Sequence, residues 1–239
     1  MKKVILCGYG FAGCMALKLL IDKGYEVFLY THEHPGHLAN LVEYAEDSEI
    51  NYSLEKIKRE NYPFKPDLIC SIYYRHIISA DVIKSVDGRI FNLHPSLLPN
   101  YRGCSSLTWA LFNGEKEVGY TYHYVEQGVD TGNILIQKAI DIYDFDTQET
   151  LYNRVMFESL NDFNEVCNLV LAGVPGKAQD SKFTYYPRGA PNNGEIDPNW
   201  DEAKIKRFIR SLKNSPYPLA TYQDQEVSSY TEYLKLSKN

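Results

Sequence analysis

Lys3-Val4-Ile5-Leu6-Cys7-Gly8-Tyr9-Gly10-Phe11-Ala12-Gly13 is an apolar run that gives way to a glycine-rich turn. Residues 3–7 read as a buried strand, 8–13 as a turn and 14–23 as a helix ended by Gly24, after which 26–30 form a second strand. Gly8, Gly10 and Gly13 also spell G-x-G-x-x-G, a pattern that lets a backbone approach a pyrophosphate at a helix N-terminus. An acidic ribose partner is expected at the end of the second strand, where Tyr30-Thr31-His32 stands, with Glu33 about 20 residues beyond Gly13. Two readings stay open from these residues alone. One is an NAD-binding module; the other is a tight turn facing an active-site crevice, with the Gly8 and Gly10 backbone meeting a substrate.

Working outward, alternation continues with a helix over 38–45, a short strand over 49–52, a charged helix over 54–60, a strand over 67–72, a helical turn over 80–85 and a strand over 88–92. Strands separated by helical segments predict an α/β fold with a doubly wound, mostly parallel, Rossmann-like sheet. His32, His34 and His37 cluster between the second strand and the next helix, but Pro35 and Gly36 break any helix that would align them on a metal. A polar loop is expected there, with no metal site.

The last of these strands runs into Phe91-Asn92-Leu93-His94-Pro95-Ser96-Leu97-Leu98-Pro99. Asn92 and His94, two apart, share one face of a strand. An amide can aim its NH2 at an oxygen gaining negative charge while the imidazole takes a proton from a nucleophile, a pairing that suits acyl transfer. The plainer alternative is a strand end whose Asn and His satisfy nearby backbone groups. Pro95 and Pro99 end the ladder and open a loop at the strand's carboxyl end, where open α/β sheets place their sites. Further on, 119–125 and 134–140 read as strands joined by a turn carrying Asp130. His123, on the face of Thr121 and Val125, is a candidate to point toward His94, with a structural role the alternative. Ser105 and Ser106 are N-cap candidates for a helix over 107–112.

Here the chain resembles the folate-dependent formyltransferases, which use 10-formyltetrahydrofolate: methionyl-tRNA, glycinamide ribonucleotide and nucleotide-sugar formyltransferases. The matching motifs are the N-L-H-P-S-L-L-P-N-Y-R-G run from Asn92 and the V-D-T-G run from Val129. The resemblance implies Asn92, His94 and Asp130 as the catalytic set. It also implies a folate pocket lined by Tyr74, Arg75, His76, Ile77 and Ile78, with backbone groups on the pteridine and the two isoleucines over its face. A Pro216-Tyr217-Pro218 element resembles the family's late P-Y-P.

Composition is compatible. The 239 residues bury one substantial core with a small appended element, and the net charge of −6 argues against a large nucleic-acid surface. No secretory leader opens the sequence and no apolar run is long enough to span a bilayer, so a soluble cytoplasmic protein is expected, with no membrane partner. The five cysteines are widely spaced, without a C-x-x-C pair. A core helix is predicted over 149–171, an irregular segment over 173–193, and a helix over 201–213 with Ile205, Phe208, Ile209 and Leu212 on one stripe. Its basic residues are expected in solvent, with Arg210 or a neighbour as a candidate for phosphate. The division expected is a catalytic domain over 1–180 and a small substrate-binding or dimerisation element over 181–239.

Within the family, about 50 residues after Ala190 are too few for the basic domain of a methionyl-tRNA enzyme. The better resemblance is to nucleotide-sugar N-formyltransferases, which act on dTDP- or UDP-linked aminosugars for bacterial surface polysaccharide and form homodimers. It implies dTDP-4-amino-4,6-dideoxyglucose as acceptor, with Gly8, Gly10, Arg102, His123 and Tyr222 as substrate contacts. Glycinamide ribonucleotide formylation and formyltetrahydrofolate hydrolysis are the alternatives within the family.

Overall fold

The computed structural model describes residues 1–34, 39–215 and 217–238. Val4 to Cys7 are fully buried, as an unbroken apolar run demands of an interior strand, and they form β1 (Lys3–Gly8). It leads through α1 (Gly10–Asp22), β2 (Glu26–Tyr30), α2 (Leu41–Asp47), β3 (Tyr52–Ser53), β4 (Leu68–Ile72) and α3 (Ala80–Ser85) to β5 (Ile90–His94). Then come β6 (Arg102–Gly103), α4 (Ser106–Asn113), β7 (Glu117–Tyr124), β8 (Ile134–Asp141), α5 (Gln148–Leu160) and α6 (Phe163–Leu171). The chain closes with β9 (Tyr185–Tyr186), α7 (Glu202–Ser211), β10 (Ala220–Tyr222), β11 (Gln225–Val227) and α8 (Tyr230–Leu236).

Seven strands make one sheet in the order β3-β2-β1-β4-β5-β7-β8. β3, β2, β1, β4 and β5 pair in parallel, and β7 lies antiparallel to β5. The order reverses at β1, where the chain passes from building one side of the sheet to building the other. This is the doubly wound, mostly parallel architecture expected, with a small element at the carboxyl end.

Two compact units divide the chain. The first comprises Met1–His94, Thr121–Gln137 and Met156–Asp180. One face of its core gathers Ile5, Cys7, Tyr30, Ile57, Ile69, Ile78 and Val82. Gly8 and Gly13 let strand and helix meet closely: a Cβ on Gly13 would stand 2.8 Å from Leu41 Cδ2 and 3.2 Å from the Gly8 carbonyl carbon. The second comprises Pro95–Tyr120, Lys138–Val155 and Ser181–Asn239. In it Ile196, Ile205, Phe208, Ile209, Ala220, Val227 and Tyr233 close a small core. α7 is capped by the Asp201 carboxylate, which accepts from the Lys204 N–H at 2.7 Å.

Several expectations are corrected. The first helix starts at Gly10 rather than 14, inside the glycine turn. The next helix, expected over 38–45, is described as Leu41–Asp47, with Leu38 outside the described residues, and the third strand is only Tyr52–Ser53. No α-helix forms over 54–60: the Ile57 N–H donates to the Tyr74 hydroxyl at 3.0 Å and the Lys58 N–H to Asn61 Oδ1 at 2.8 Å, so a short 3-10 turn at Arg59–Asn61 replaces it. The helix over 149–171 is two. The Ser159 carbonyl accepts from the Asp162 N–H and from the Tyr122 hydroxyl, 3.1 and 3.0 Å, which tightens the turn between α5 and α6. Ser105 occupies the N-cap position of α4 with φ 56° and no side-chain cap, while Ser106 donates to the Pro95 carbonyl at 2.9 Å. The irregular segment over 173–193 contains β9, which pairs with β6.

Candidate active site

The register of β5 against β7 sets the centre of the site. Asn92 stands opposite His123 and His94 opposite Thr121 in the antiparallel pair, while Ser71 of β4 stands beside Asn92 on the parallel side. Alternation therefore brings three polar side chains of three strands to one face near the carboxyl end of β5. Ser71 Oγ donates to Asn92 Oδ1 at 2.9 Å, and Asn92 Nδ2 lies 3.2 Å from His123 Nε2. His123 Nδ1 is 2.7 Å from the Tyr124 carbonyl oxygen, which only accepts, so Nδ1 carries the proton. In the neutral ring Nε2 is then an acceptor, and one N–H of the Asn92 amide is held on it. Ser71 and His123 thus fix the amide from both ends and leave its second N–H to aim elsewhere.

Asp130 enters from the turn between β7 and β8 with φ 53°, in the left-handed region that Asp tolerates better than most residues. Its Oδ2 lies 3.4 Å from His94 Nδ1 and its Oδ1 lies 3.5 Å from His123 Nε2. The His94, His123 and Asp130 side chains are only 6%, 3% and 12% exposed, so the field of the Asp130 carboxylate is little screened by water at either ring. Nδ1 of His94 faces the carboxylate, and Nε2 is the ring nitrogen on the far side. A separation of 3.4 Å is long for a hydrogen bond, in the manner of catalytic contacts that tighten when substrate binds. The turn is held from behind: Gln179 Nε2 donates to the carbonyls of Asp130 and Gly132, each at 2.8 Å. Gly132 admits the close return of β7, since a Cβ there would lie 1.9 Å from the Tyr124 oxygen.

The residues expected to line a folate pocket separate into two sets. Tyr74, Arg75 and His76 join Tyr9 and His32 in a cluster of rings just past the carboxyl ends of β1, β2 and β4. His32 stacks on Tyr74 at 4.8 Å, His76 meets both edge-on, and the Arg75 guanidinium sits 5.8 Å from the Tyr9 ring. The Arg75 N–H donates to His32 Nε2 at 3.1 Å. Burial, helped by His76, Arg75 and His34, pulls His32 down from 6.5 to about 4, and burial also lowers His34 and His76. Burial leaves these imidazoles neutral near pH 7, so the Arg75 guanidinium is the cation of an otherwise uncharged aromatic cluster. Ile77 is 72% exposed and Ile78 packs into the core, so the two isoleucines face different surroundings.

His32, expected in a polar loop, is instead buried among these rings, and His37 lies outside the described residues, as does Pro216 of the P-Y-P element. Among the described residues no group of three or more His, Cys, Asp or Glu is arranged to hold a metal, and no helix is long and apolar enough to cross a membrane. Gly8 ends β1 and Gly10, at φ +57°, starts α1. Arg102 and Tyr222 belong to the second unit. The Arg102 guanidinium lies 4.6 Å from the Phe183 ring, and Tyr222 packs edge-on against Tyr233 at 5.1 Å. The sequence reading missed Ser71 and Gln179, whose partners lie 21 residues away for the one and 47 and 49 for the other and so carry no local signal.

The Formyl transferase family model matches residues 27–166, a stretch that contains Ser71, Asn92, His94, His123 and Asp130. The GDP-perosamine N-formyltransferase of Brucella melitensis is 34% identical over 226 residues, covering 91% of this chain and 87% of the relative. Among solved structures, WlaRD, a sugar 3N-formyl transferase in the presence of dTDP and 5-N-formyl-THF, superposes with a TM-score of 0.81 at 21% identity, covering 96% of this chain and 85% of that one. A 4-N formyltransferase from Francisella tularensis gives a TM-score of 0.77 at 20% identity, covering 94% and 93%.

Proposed function

The chain belongs to the formyl transferase family, and on that premise we propose that it moves a formyl group from 10-formyltetrahydrofolate to the amino group of a nucleotide-linked aminosugar. The observation that carries the reading is the single Asp130 carboxylate lying within 3.5 Å of both His94 and His123, while Ser71 and His123 hold the Asn92 amide. In this reading the acceptor amine attacks the formyl carbon on N10 of the folate, and negative charge develops on the former carbonyl oxygen. The second N–H of Asn92 stabilises that oxyanion. His94 Nε2 takes the amine proton, directly or through water, and returns it to the departing folate nitrogen as the tetrahedral intermediate collapses. Asp130 orients the ring through Nδ1 and stabilises the imidazolium formed on the way. No metal is needed, because every charge that develops has a polar partner already in place.

Tyr74, Arg75 and His76, with the neutral rings around them, offer aromatic faces and one guanidinium, partners suited to a pteridine. Gly8, Gly10, Arg102 and Tyr222 are assigned to the acceptor, with residues 1–180 carrying the chemistry and 181–239 serving acceptor binding and dimerisation in the cytoplasm. The acceptor proposed is dTDP-4-amino-4,6-dideoxyglucose, for bacterial surface polysaccharide. The dTDP of the WlaRD crystal and the 4-N reaction of the Francisella protein support it, while the Brucella relative's GDP-perosamine makes GDP the carrier to test beside dTDP. The experiment is incubation with 10-formyltetrahydrofolate and a panel of dTDP-, UDP- and GDP-aminosugars, with mass spectrometry for the gain of one formyl group. A product seen with one sugar and absent in His94→Ala supports the reading. Folate turnover without an amine, or no formylated sugar, refutes it.

A further inference from the structure

A second concave surface lies wholly within the second unit, between α4, the ends of β7 and β8, α7 and the start of α8. It is a groove of about 580 Å³, in the range of small-molecule sites, and it shares no residue with the Asn92, His94 and Asp130 group. Five basic side chains line it against two acidic ones, Glu115 and Asp144, although the whole chain carries a net charge of −6. The imbalance persists once local pairing is considered. Lys206 is matched by Glu202 at 2.5 Å. Lys116, Arg207, Arg210 and Lys213 make no ion pair among the described residues.

The two arginines are the informative members. Three apart on α7, they project on neighbouring positions of one helix face. Both are half-buried, yet neither is held by a carboxylate. Arg207 Nε donates to the Phe112 carbonyl at 3.3 Å. Arg210 Nη1 donates to the carbonyls of Tyr143, Asp144 and Asp146, the first and last at 3.4 and 3.2 Å. Carbonyl oxygens orient a guanidinium without neutralising it, so the positive charge is left to face an anion. The remaining N–H groups present the fork geometry that matches phosphate oxygens. Lys116 and Lys213 add two ammonium groups on flexible stems, and the Tyr230 ring lines one side.

We propose that this groove binds a diphosphate group, either free pyrophosphate or the diphosphate of a nucleoside diphosphate. With Lys206 paired to Glu202, four cations face the two carboxylates Glu115 and Asp144, an excess of two positive charges that suits a diphosphate better than a monoanion, and the net negative chain disfavours a long polyanion such as RNA. The test is calorimetric titration of the full chain with inorganic pyrophosphate and, separately, with dTDP, at physiological ionic strength and with no folate present. The variants are Lys116→Glu/Lys213→Glu, which changes two exposed groups, and Arg207→Gln; Arg210 is left in place because it ties down residues 143–146. Affinity for pyrophosphate is expected to fall at least about tenfold in both variants with the melting temperature retained. The same loss confined to dTDP also supports the proposal and identifies a nucleoside-bearing ligand. No binding of either probe to the wild-type protein, or affinity for both probes unchanged in either variant, overturns it. Because the readout needs no formyl transfer, it stands or falls separately from the reaction proposed above.

Discussion

Replacing Asp130 by Asn keeps the size of the side chain and removes the charge that His94 and His123 share. Two unit charges 3.4 Å apart, the distance from Asp130 Oδ2 to His94 Nδ1, attract by about 5 kcal/mol at an effective dielectric of about 20. That attraction exists only while His94 carries the proton it has taken, so it lowers the barrier rather than tightening substrate binding. At about 1.4 kcal/mol per decade, its full loss slows turnover by three to four orders of magnitude, roughly the effect of neutralising the carboxylate of a Ser-His-Asp triad. The amide that replaces the carboxylate would also present a donor as readily as an acceptor to His94 Nδ1, which disturbs the tautomer in which Nε2 serves as the base. The assay is single-turnover formylation under saturating folate and aminosugar, beside folate binding and thermal melting. A loss of less than about tenfold in a folded, folate-binding Asp130→Asn protein would refute the assignment of Asp130 as the partner of His94.

Asn92→Ala is expected to lower kcat about a hundredfold, the order of one oxyanion donor, with folate affinity nearly kept; equal losses in kcat and in folate affinity would argue against a transition-state role. Gly13→Ala places a methyl 3.2 Å from the Gly8 carbonyl carbon and 2.8 Å from Leu41, and urea unfolding should show a loss of about 1–3 kcal/mol, whereas an unchanged midpoint would mean the strand and helix are less closely packed than described. His32 gives a pH signature. Its ionisation is lowered from 6.5 to about 4 on folding, so between those values the unfolded chain binds the extra proton. Its contribution to stability is therefore complete above pH 6.5 and declines as pH falls toward 4, a slope that His32→Phe should reduce and that denaturant midpoints measured across the window would detect.

The parts of the fold legible from the sequence were those in which the side chains alone decide. Val4 to Cys7 and Leu68 to Ile72 have no polar surface to expose along their length apart from Ser71, so they could only be interior strands. Residues 54–60 have a helix-like distribution of charge but form none, because backbone groups find partners in Tyr74 and Asn61 that sequence spacing does not reveal. The split between α5 and α6 has the same origin: the Ser159 carbonyl is claimed by Tyr122, 37 residues earlier. The pair Asn92 and His94 was legible because a strand's period of two is local, and Asp130 through the motif that carries it. What surrounds them was not. The Tyr9, His32, Tyr74 and His76 cluster is assembled by the parallel order of β1, β2 and β4, and from sequence His32 looks like an ordinary loop histidine.

Ser71 shows what that assembly contributes to the proposed chemistry. In β4 it is one more small residue, but the parallel register sets it beside Asn92, where its hydroxyl occupies the amide oxygen at 2.9 Å. An amide whose oxygen is engaged cannot turn that end toward the developing oxyanion, so the bond orients the donor without touching the reacting atoms. Ser71→Ala removes a neutral hydrogen bond worth about 1 kcal/mol, which corresponds to roughly fivefold in kcat. A small loss of this kind is ambiguous by itself, since any buried hydroxyl can be missed for structural reasons. The double-mutant cycle decides: if Ser71 acts through the Asn92 amide, Ser71→Ala costs almost nothing more in an Asn92→Ala background, and its effect on wild-type turnover appears in kcat rather than KM. A loss of about fivefold that persists without Asn92 would place the role of Ser71 in packing, and the orientation of the amide would then rest on His123 alone.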